Sequence, residues 1–199
     1  SMSLDVTSFD CAAVGDTNVT LTVTDVNGNS ANATAVVTVK ESIAPIANCA
    51  APFTIQLDDT GNASISEEDI NNGSSDNCGI ESMSIDTTTF NCTEIGEHIV
   101  TLTVTDVNGN SATETAIVTV EDSMPPTVVT QDITMQLGAN GVVNITAQDI
   151  DNGSSDNCDI ETWSLDTTSF VCTNVGENTV TLTVSDVNGN SASASAIVR

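Results

Sequence analysis

The heptapeptide Asp-Val-Asn-Gly-Asn-Ser-Ala stands three times in the chain, from Asp25, Asp106 and Asp186, at spacings of 81 and 80 residues. Each copy follows a strictly alternating stretch, Val19, Leu21, Val23; Val100, Leu102, Val104; Val180, Leu182, Val184, with Thr, Ser or Asp between. That is the period of a half-buried strand. A second apolar run follows each copy, over 33–39, 116–120 and 196–198. Asn-Gly between two such strands predicts a hairpin with a type I′ turn, since both central positions of that turn need positive φ and Asn and Gly tolerate it best. A chain built this way is an array of one β module, and that constrains function before any single residue does.

In 199 residues, a period of about 80 makes two modules and a fraction, each able to bury a modest core. Residues 1–40 align with 82–121 and form the second half of a repeat, 41–121 a complete repeat, and 122–199 a nearly complete one. The chain reads as a piece of a longer one, and its Ser-Met start resembles an expression scar, so the missing signal peptide decides nothing. The half repeat is expected to leave sheet edges and apolar faces uncovered, and so to be poorly ordered or covered by another molecule.

Pro-containing junctions (Ile43-Ala44-Pro45, Met124-Pro125-Pro126) open the later repeats and predict limited angular freedom between neighbours. A first strand carries Phe53, Ile55 and Leu57, or Ile133, Met135 and Leu137; a Gly turn leads to a second with Ala63 and Ile65, or Val143 and Ile145. An acidic Gly/Ser loop follows over 67–78 and 148–158, then a third strand with Met83 and Ile85, or Trp163 and Leu165. Trp163 exchanges with Met at this position, which reads as core packing. Phe90 and Cys92 (Phe9 and Cys11; Phe170 and Cys172) precede the Gly turn into the hairpin. No stretch has a helical period, and six or seven strands per repeat define the fold class: all-β, tandem immunoglobulin-like β-sandwich repeats of about 80 residues.

The formal charge is −26, with Lys40 and Arg199 the only Lys or Arg. Such a surface repels nucleic acid and anionic lipid, so neither is expected as a partner. No apolar run reaches the roughly 18 residues of a membrane span, so no membrane insertion is expected. Two readings of the acidity stay open: solubility in a salty extracellular medium, or carboxylates gathered around divalent cations.

Cys78 and Cys92 are 14 residues apart, as are Cys158 and Cys172. Disulfides within each repeat are the natural inference, in an oxidising compartment, which leaves Cys11 without a partner. Zinc is disfavoured, because no CxxC is present and His98 is the only histidine.

The order Pro125-Pro126, Ser-Ser-Asp-Asn-Cys (74–78 and 154–158), Phe-x-Cys-x-x-x-Gly, then Val-x-Leu-x-Val-x-Asp-x-x-Gly-Asn resembles the hyalin-type (HYR) repeat. It is similar above all to the form that recurs in very large surface proteins of gliding and marine bacteria, gliding-motility adhesins among them. The resemblance covers 41–199 and the second half of the motif in 1–40. It implies an immunoglobulin-like sandwich in a secreted, cell-surface protein of cell adhesion, serving as an adhesive or spacing module without catalysis. Where many members carry a cysteine near Asn32, Glu114 or Ser193 this chain has none, which leaves Cys49 without its usual mate.

In an immunoglobulin-like topology the loop before the third strand and the last hairpin emerge at one pole, beside the preceding module. That gathers Glu41, Asp69, Asp76, Asp106, Asn108 and Asn110 at the first junction, and Glu121, Asp122, Asp149, Asp151, Asp156, Asp186, Asn188 and Asn190 at the second. Oxygen-only donors of this kind suit Ca²⁺, and a calcium ion at each junction would neutralise carboxylates and lock the inter-module angle. An EF-hand is excluded, since Gly falls at loop position four rather than six and position twelve is Val36, Ile117 or Ile197. Asp and Asn bonding their own turn backbone would also explain the motif.

No catalytic residues are expected: a single histidine cannot serve a repeated triad, and no Gly-rich phosphate loop is present. Two functions remain. One is a stiff spacer whose partners are neighbouring repeats and, through other parts of the full protein, an extracellular surface or glycan. The other is a module that itself binds carbohydrate or protein, weakened by the absence of Tyr and by Phe9, Phe90 and Phe170 holding one equivalent position.

Overall fold

The computed structural model describes residues 1–199. In the half repeat, β1 (Met2–Leu4), β2 (Gly15–Thr24) and β3 (Ser30–Val39) form an antiparallel sheet in that order. The complete repeat contributes β4 (Phe53–Gln56), β5 (Asn62–Ser64), the one-turn helix α1 (Glu67–Ile70), β6 (Ile80–Ile85), β7 (Thr89–Asn91), β8 (Gly96–Asp106) and β9 (Ser111–Glu121). The last repeat contributes β10 (Val142–Asn144), α2 (Ala147–Ile150), β11 (Ile160–Leu165), β12 (Ser169–Val171), β13 (Asn178–Asp186) and β14 (Ser191–Val198). Sheets run β4-β9-β8-β6 and β5-β7 in the complete repeat, β11-β13-β14 and β10-β12 in the last.

Residues 1–51, 66–87 and 100–116 make one compact unit, and 52–65, 88–99 and 117–199 another. In the first, the alternation of β8 puts Val100, Leu102 and Val104 wholly out of solvent, as is Ile70 at the end of α1. The second holds the whole last repeat and shows the sandwich directly. Val180, Leu182 and Val184 of β13 and Ala196 and Val198 of β14 cluster with Phe170 of β12, Ile145 and Ile150, while Val143 of β10 packs against them. Each such Val, Leu, Ile or Phe side chain contributes about 1.5–3 kcal/mol by leaving water.

The loop expected over 67–78 opens with α1. Asp69 Oδ2 accepts from Ser66 N and Oγ, both at 2.8 Å, and Asp149 Oδ2 repeats this with Thr146 at 2.7 and 2.8 Å. A capping carboxylate holding one turn in place lets Ile70 and Ile150 reach the core. Trp163 departs from its expected core place: it is 37 % exposed. It sits opposite Val184 on the inner face, but β11 edges its sheet, so the indole covers the rim.

The hairpins are not type I′. Gly109 N donates to Asp106 O and Asp106 N to Asn110 O, and only the glycine takes positive φ, +89°. This is a type I turn closed by a left-handed Gly, the three-residue loop with a G1 bulge. The Asp106 carboxylate, which accepts from Asn108 N and Asn110 N at 2.8 Å each, selects it.

The cysteines pair across repeats rather than within them. Cys11 bonds Cys78 and Cys92 bonds Cys158, at sequence separations of 67 and 66, leaving Cys49 and Cys172 as thiols. Pairing of Cys78 with Cys92 required 80–91 to fold back on itself; instead β6 pairs with β8 and β7 with β5, so the segment divides between two sheets. The Phe-x-Cys turns of the half and complete repeats therefore meet the Asp-Asn-Cys loop of the following repeat. The half repeat, expected to leave apolar faces uncovered and so to be poorly ordered or covered by another molecule, is a regular sheet tied to the complete repeat through Cys11, with Met2, Leu4, Val23 and Val36 exposed on it.

Closing loops of this length contributes about 4 kcal/mol per clip by chain entropy. Peptide mapping of the unreduced chain is expected to recover Cys11–Cys78 and Cys92–Cys158 pairs; a Cys78–Cys92 pair would contradict the topology. In the same experiment exposed Cys172 should alkylate ahead of Cys49, whose thiol is pushed up by burial and by the Glu114 charge.

Candidate functional site

Asp106 and Asp186 end the alternating strands β8 and β13 and are both 0 % exposed. Asp186 Oδ1 accepts from Asn188 N at 2.9 Å and Asn190 N at 2.8 Å, and Oδ2 from Asn190 Nδ2 at 2.8 Å. Asp106 makes the same three bonds with Asn108 and Asn110. Burial pushes the Asp106 carboxyl up, but the bonds from Asn110 and Asn108 outweigh it and hold the group below the ordinary carboxylate value. Asp25 makes the same turn in the open.

At the seam between the complete and last repeats, carboxylate oxygens of Asp122, Asp156 and Asp186 lie within 4.8 Å of one another. Asp122 arrives from the linker and is 8 % exposed. Its Oδ1 accepts from Met124 N (3.1 Å) and Asn157 Nδ2 (3.2 Å), its backbone O accepts from Asn190 Nδ2 (3.2 Å), and its Oδ2 is buried without a donor. Asp156 Oδ2 accepts from Cys158 N at 2.8 Å, while its Oδ1 is buried and unpartnered. Burial, then the charges of Asp186, Asp122 and Asp159, push the Asp156 carboxyl up. Asn157 Oδ1 and Asn188 Oδ1 are also buried acceptors with no donor. Orphaned groups here are all oxygens, a donor set that suits a hard divalent cation and offers nothing to an anion.

The preceding seam is built from the same parts with different outcome. Glu41 stands in the place of Asp122 and Lys40 in that of Glu121. The Glu41 carboxylate is taken up by Asn110 Nδ2 at 2.7 Å and Ile43 N at 2.6 Å. Asp76 Oδ2 accepts from Cys78 N (2.7 Å) and Gly79 N (3.1 Å), leaving its Oδ1 as the one orphaned acceptor of this seam.

Other residues expected at the junctions are engaged elsewhere. Asp69 and Asp149 cap helical turns, Asp151 Oδ1 accepts from Ser154 N and Oγ, and Glu121 Oε2 accepts from Gln56 Nε2 at 3.1 Å. Asn108 enters through its backbone NH, and Asn110 and Asn190 enter as donors, through their side-chain NH₂ groups. Asn157 was absent from the expected set although it belongs to the twice-occurring Asp-Asn-Cys triplet. Its NH₂ bridges Asp58 O (3.1 Å) of the complete repeat to the linker's Asp122. His98 is structural: Nε2 meets Glu94 O at 2.6 Å and its ring lies 5.2 Å from that of Phe90.

No protein-family model matches the chain, and no curated protein matches it. Among solved structures it is similar to extracellular cadherin domains. A protocadherin gammaB7 EC3-6 cis-dimer structure shares 15% identity over 100% of this chain and 68% of that one (TM-score 0.40). Protocadherin gamma C5 EC1-3 shares 11% over 94% and 78% (TM-score 0.41), and the human desmocollin-1 ectodomain 12% over 98% and 46% (TM-score 0.28).

Asp106→Ala removes the buried acceptor of three bonds that close the turn and is expected to lower the urea midpoint clearly, whereas Asp25→Ala in the exposed copy of the turn changes it little. Asp58, Asp69 and Asp149 are held below the ordinary value by bonds from Thr60, Ser66 and Thr146. A folded value below the unfolded one gives stability that is present at neutral pH and lost as pH falls through the folded value. Thermal melts across an acid series are therefore expected to weaken below about pH 4.

Proposed function

We propose that the chain consists of structural repeats, 41–121 and 122–199 with the half repeat 1–40, of a large extracellular adhesion protein of the bacterial cell-surface type, and that Ca²⁺ stiffens its seams. The repeats act as spacers that carry a distal adhesive part, and they do no chemistry.

The observation that carries this reading is the gathering of the Asp122, Asp156 and Asp186 carboxylates, together with buried, donorless oxygens on Asp122, Asp156, Asn157 and Asn188 of the same linker, loop and hairpin. Three ionised carboxylates this close repel by on the order of 3 kcal/mol per pair, and a divalent cation converts that cost into attraction. Asp122 from the linker, Asp156 from the loop and Asp186 from the hairpin would supply charged ligands, with Asn157 and Asn188 carbonyls available to complete the six to eight oxygens that Ca²⁺ prefers. Two disulfides between repeats support an oxidising, extracellular setting. No helix is long and apolar enough to cross a membrane.

Because Glu41 already accepts from Asn110 and Ile43, the first seam is the weaker of the two sites. Calorimetric titration of the chelator-treated chain is expected to show one strong Ca²⁺ per chain, with Mg²⁺ a poor substitute. Ca²⁺ should raise the melting temperature, and Asp122→Asn should remove both the strong heat and the thermal shift. A melt indifferent to excess chelator would end the proposal.

A further inference from the structure

We propose that the two disulfides make this chain a load-bearing tether in which tension bypasses most of the residues. Force applied to the two ends of a polypeptide travels along the shortest covalent route. Here that route runs from 1 to Cys11, crosses to Cys78, follows 78–92, crosses to Cys158 and continues to 199. Residues 12–77 and 93–157 lie in loops closed by the clips, and carry no covalent tension.

The division falls usefully on the fold. In the complete repeat only β6 and β7 lie on the route, while β8 and β9, which bear the buried Val100, Leu102, Val104, Val118 and Val120, lie off it. What resists the pull is therefore the register of β6 on β8, Ile85 opposite Leu102, and of β7 on β5, Phe90 opposite Ala63. Should that resistance fail, the route through this repeat straightens only over 78–92, about 50 Å, where an unclipped 80-residue repeat would release about 280 Å. The closed loops also keep their ends together, so refolding starts with the costliest loop closures already made. A spacer of this kind yields a short, fixed length under load and then stops.

The inference rests on connectivity and is independent of the cation reading. Its test is single-molecule stretching of the whole chain between peptide-tag handles at its two termini, chosen because Cys49 and Cys172 would confuse thiol handles. The oxidised chain is expected to reach about 250 Å when fully extended and the reduced chain about 700 Å, close to a threefold difference. The double variant Cys92→Ser, Cys158→Ser, which keeps only the first clip, should reach about 470 Å. Because full extension is read after all folding is lost, the result does not depend on any variant's stability. Equal lengths in calcium and in chelator are expected for every form. An oxidised length of about 600 Å, as pairing within repeats would give, or one equal to the reduced length, overturns the proposal.

Discussion

The seam between the complete and last repeats depends on the covalent clip Cys92–Cys158. Cys158 is the last residue of the Ser-Ser-Asp-Asn-Cys loop, and fixing it fixes the two residues before it. Asp156 Oδ2 accepts from the Cys158 amide, and Asn157 reaches back to Asp58 O and Asp122 Oδ1. Once that loop is held, the linker carboxylate, the loop carboxylate and the hairpin carboxylate have nowhere separate to go. The clip contributes about 4 kcal/mol through the loop it closes, whereas three mutually close ionised carboxylates cost at least as much in total. The covalent bond can assemble the seam, then, but it leaves the charge uncompensated, and burial first, with the neighbouring charges after it, pushes the Asp156 carboxyl up.

Buried carboxylates are tolerated here in two different ways, and the contrast separates folding from function. Asp106 is satisfied entirely by donors from its own turn, two amides and one side-chain NH₂. The same bonds are made by Asp25 in the open, so the turn needs the carboxylate whether or not it is buried. Nothing in the turn requires Asp122 Oδ2, Asp156 Oδ1 or the carbonyl oxygens of Asn157 and Asn188 to be buried without donors. An acceptor buried alone costs about 1–3 kcal/mol, and four on the linker, loop and hairpin that meet at this seam ask for a common explanation.

Most strands and the hairpins were legible from the period of the apolar residues and the repeated heptapeptide, but the first strand expected over 133–137 of the last repeat is reduced to the single bridge of Ile133 to Val198. The disulfides were not. A separation of 14 residues looks local, but 80–91 splits between two sheets, and strand pairing rather than chain proximity decides which thiols meet. Asp69 and Asp149 were misplaced because Ser66-x-x-Asp69 and Thr146-x-x-Asp149 are capping signals only if a helix follows, and one turn is too short to show a period. The turn type was misjudged because Asn-Gly was weighed without the aspartate two residues earlier, whose carboxylate selects the longer loop. Asn157 escaped because a side-chain amide offers no charge to count, although its triplet occurs twice.

The composition itself explains why the seams take this form. With 28 acidic residues against Lys40 and Arg199, ion pairs are almost unavailable to the fold. The two present, Arg199 with Asp132 and Glu177, are exposed, where such pairs contribute little. A carboxylate held in place by the fold must be answered by backbone amides, hydroxyls and asparagine NH₂ groups, as Asn29, Asn110, Asn157 and Asn190 do. Neutral donors can satisfy lone pairs one at a time, but they bring no positive charge, so wherever three carboxylates converge the chain has nothing of its own to set against them. A disulfide limits how far two repeats can separate while leaving rotation about its single bonds. A cation held by oxygens from linker, loop and hairpin together would restrain direction as well as distance. The first seam, where Glu41 is answered by Asn110 and Ile43, shows what the same scaffold does when one of the converging carboxylates is given longer reach and neutral partners instead.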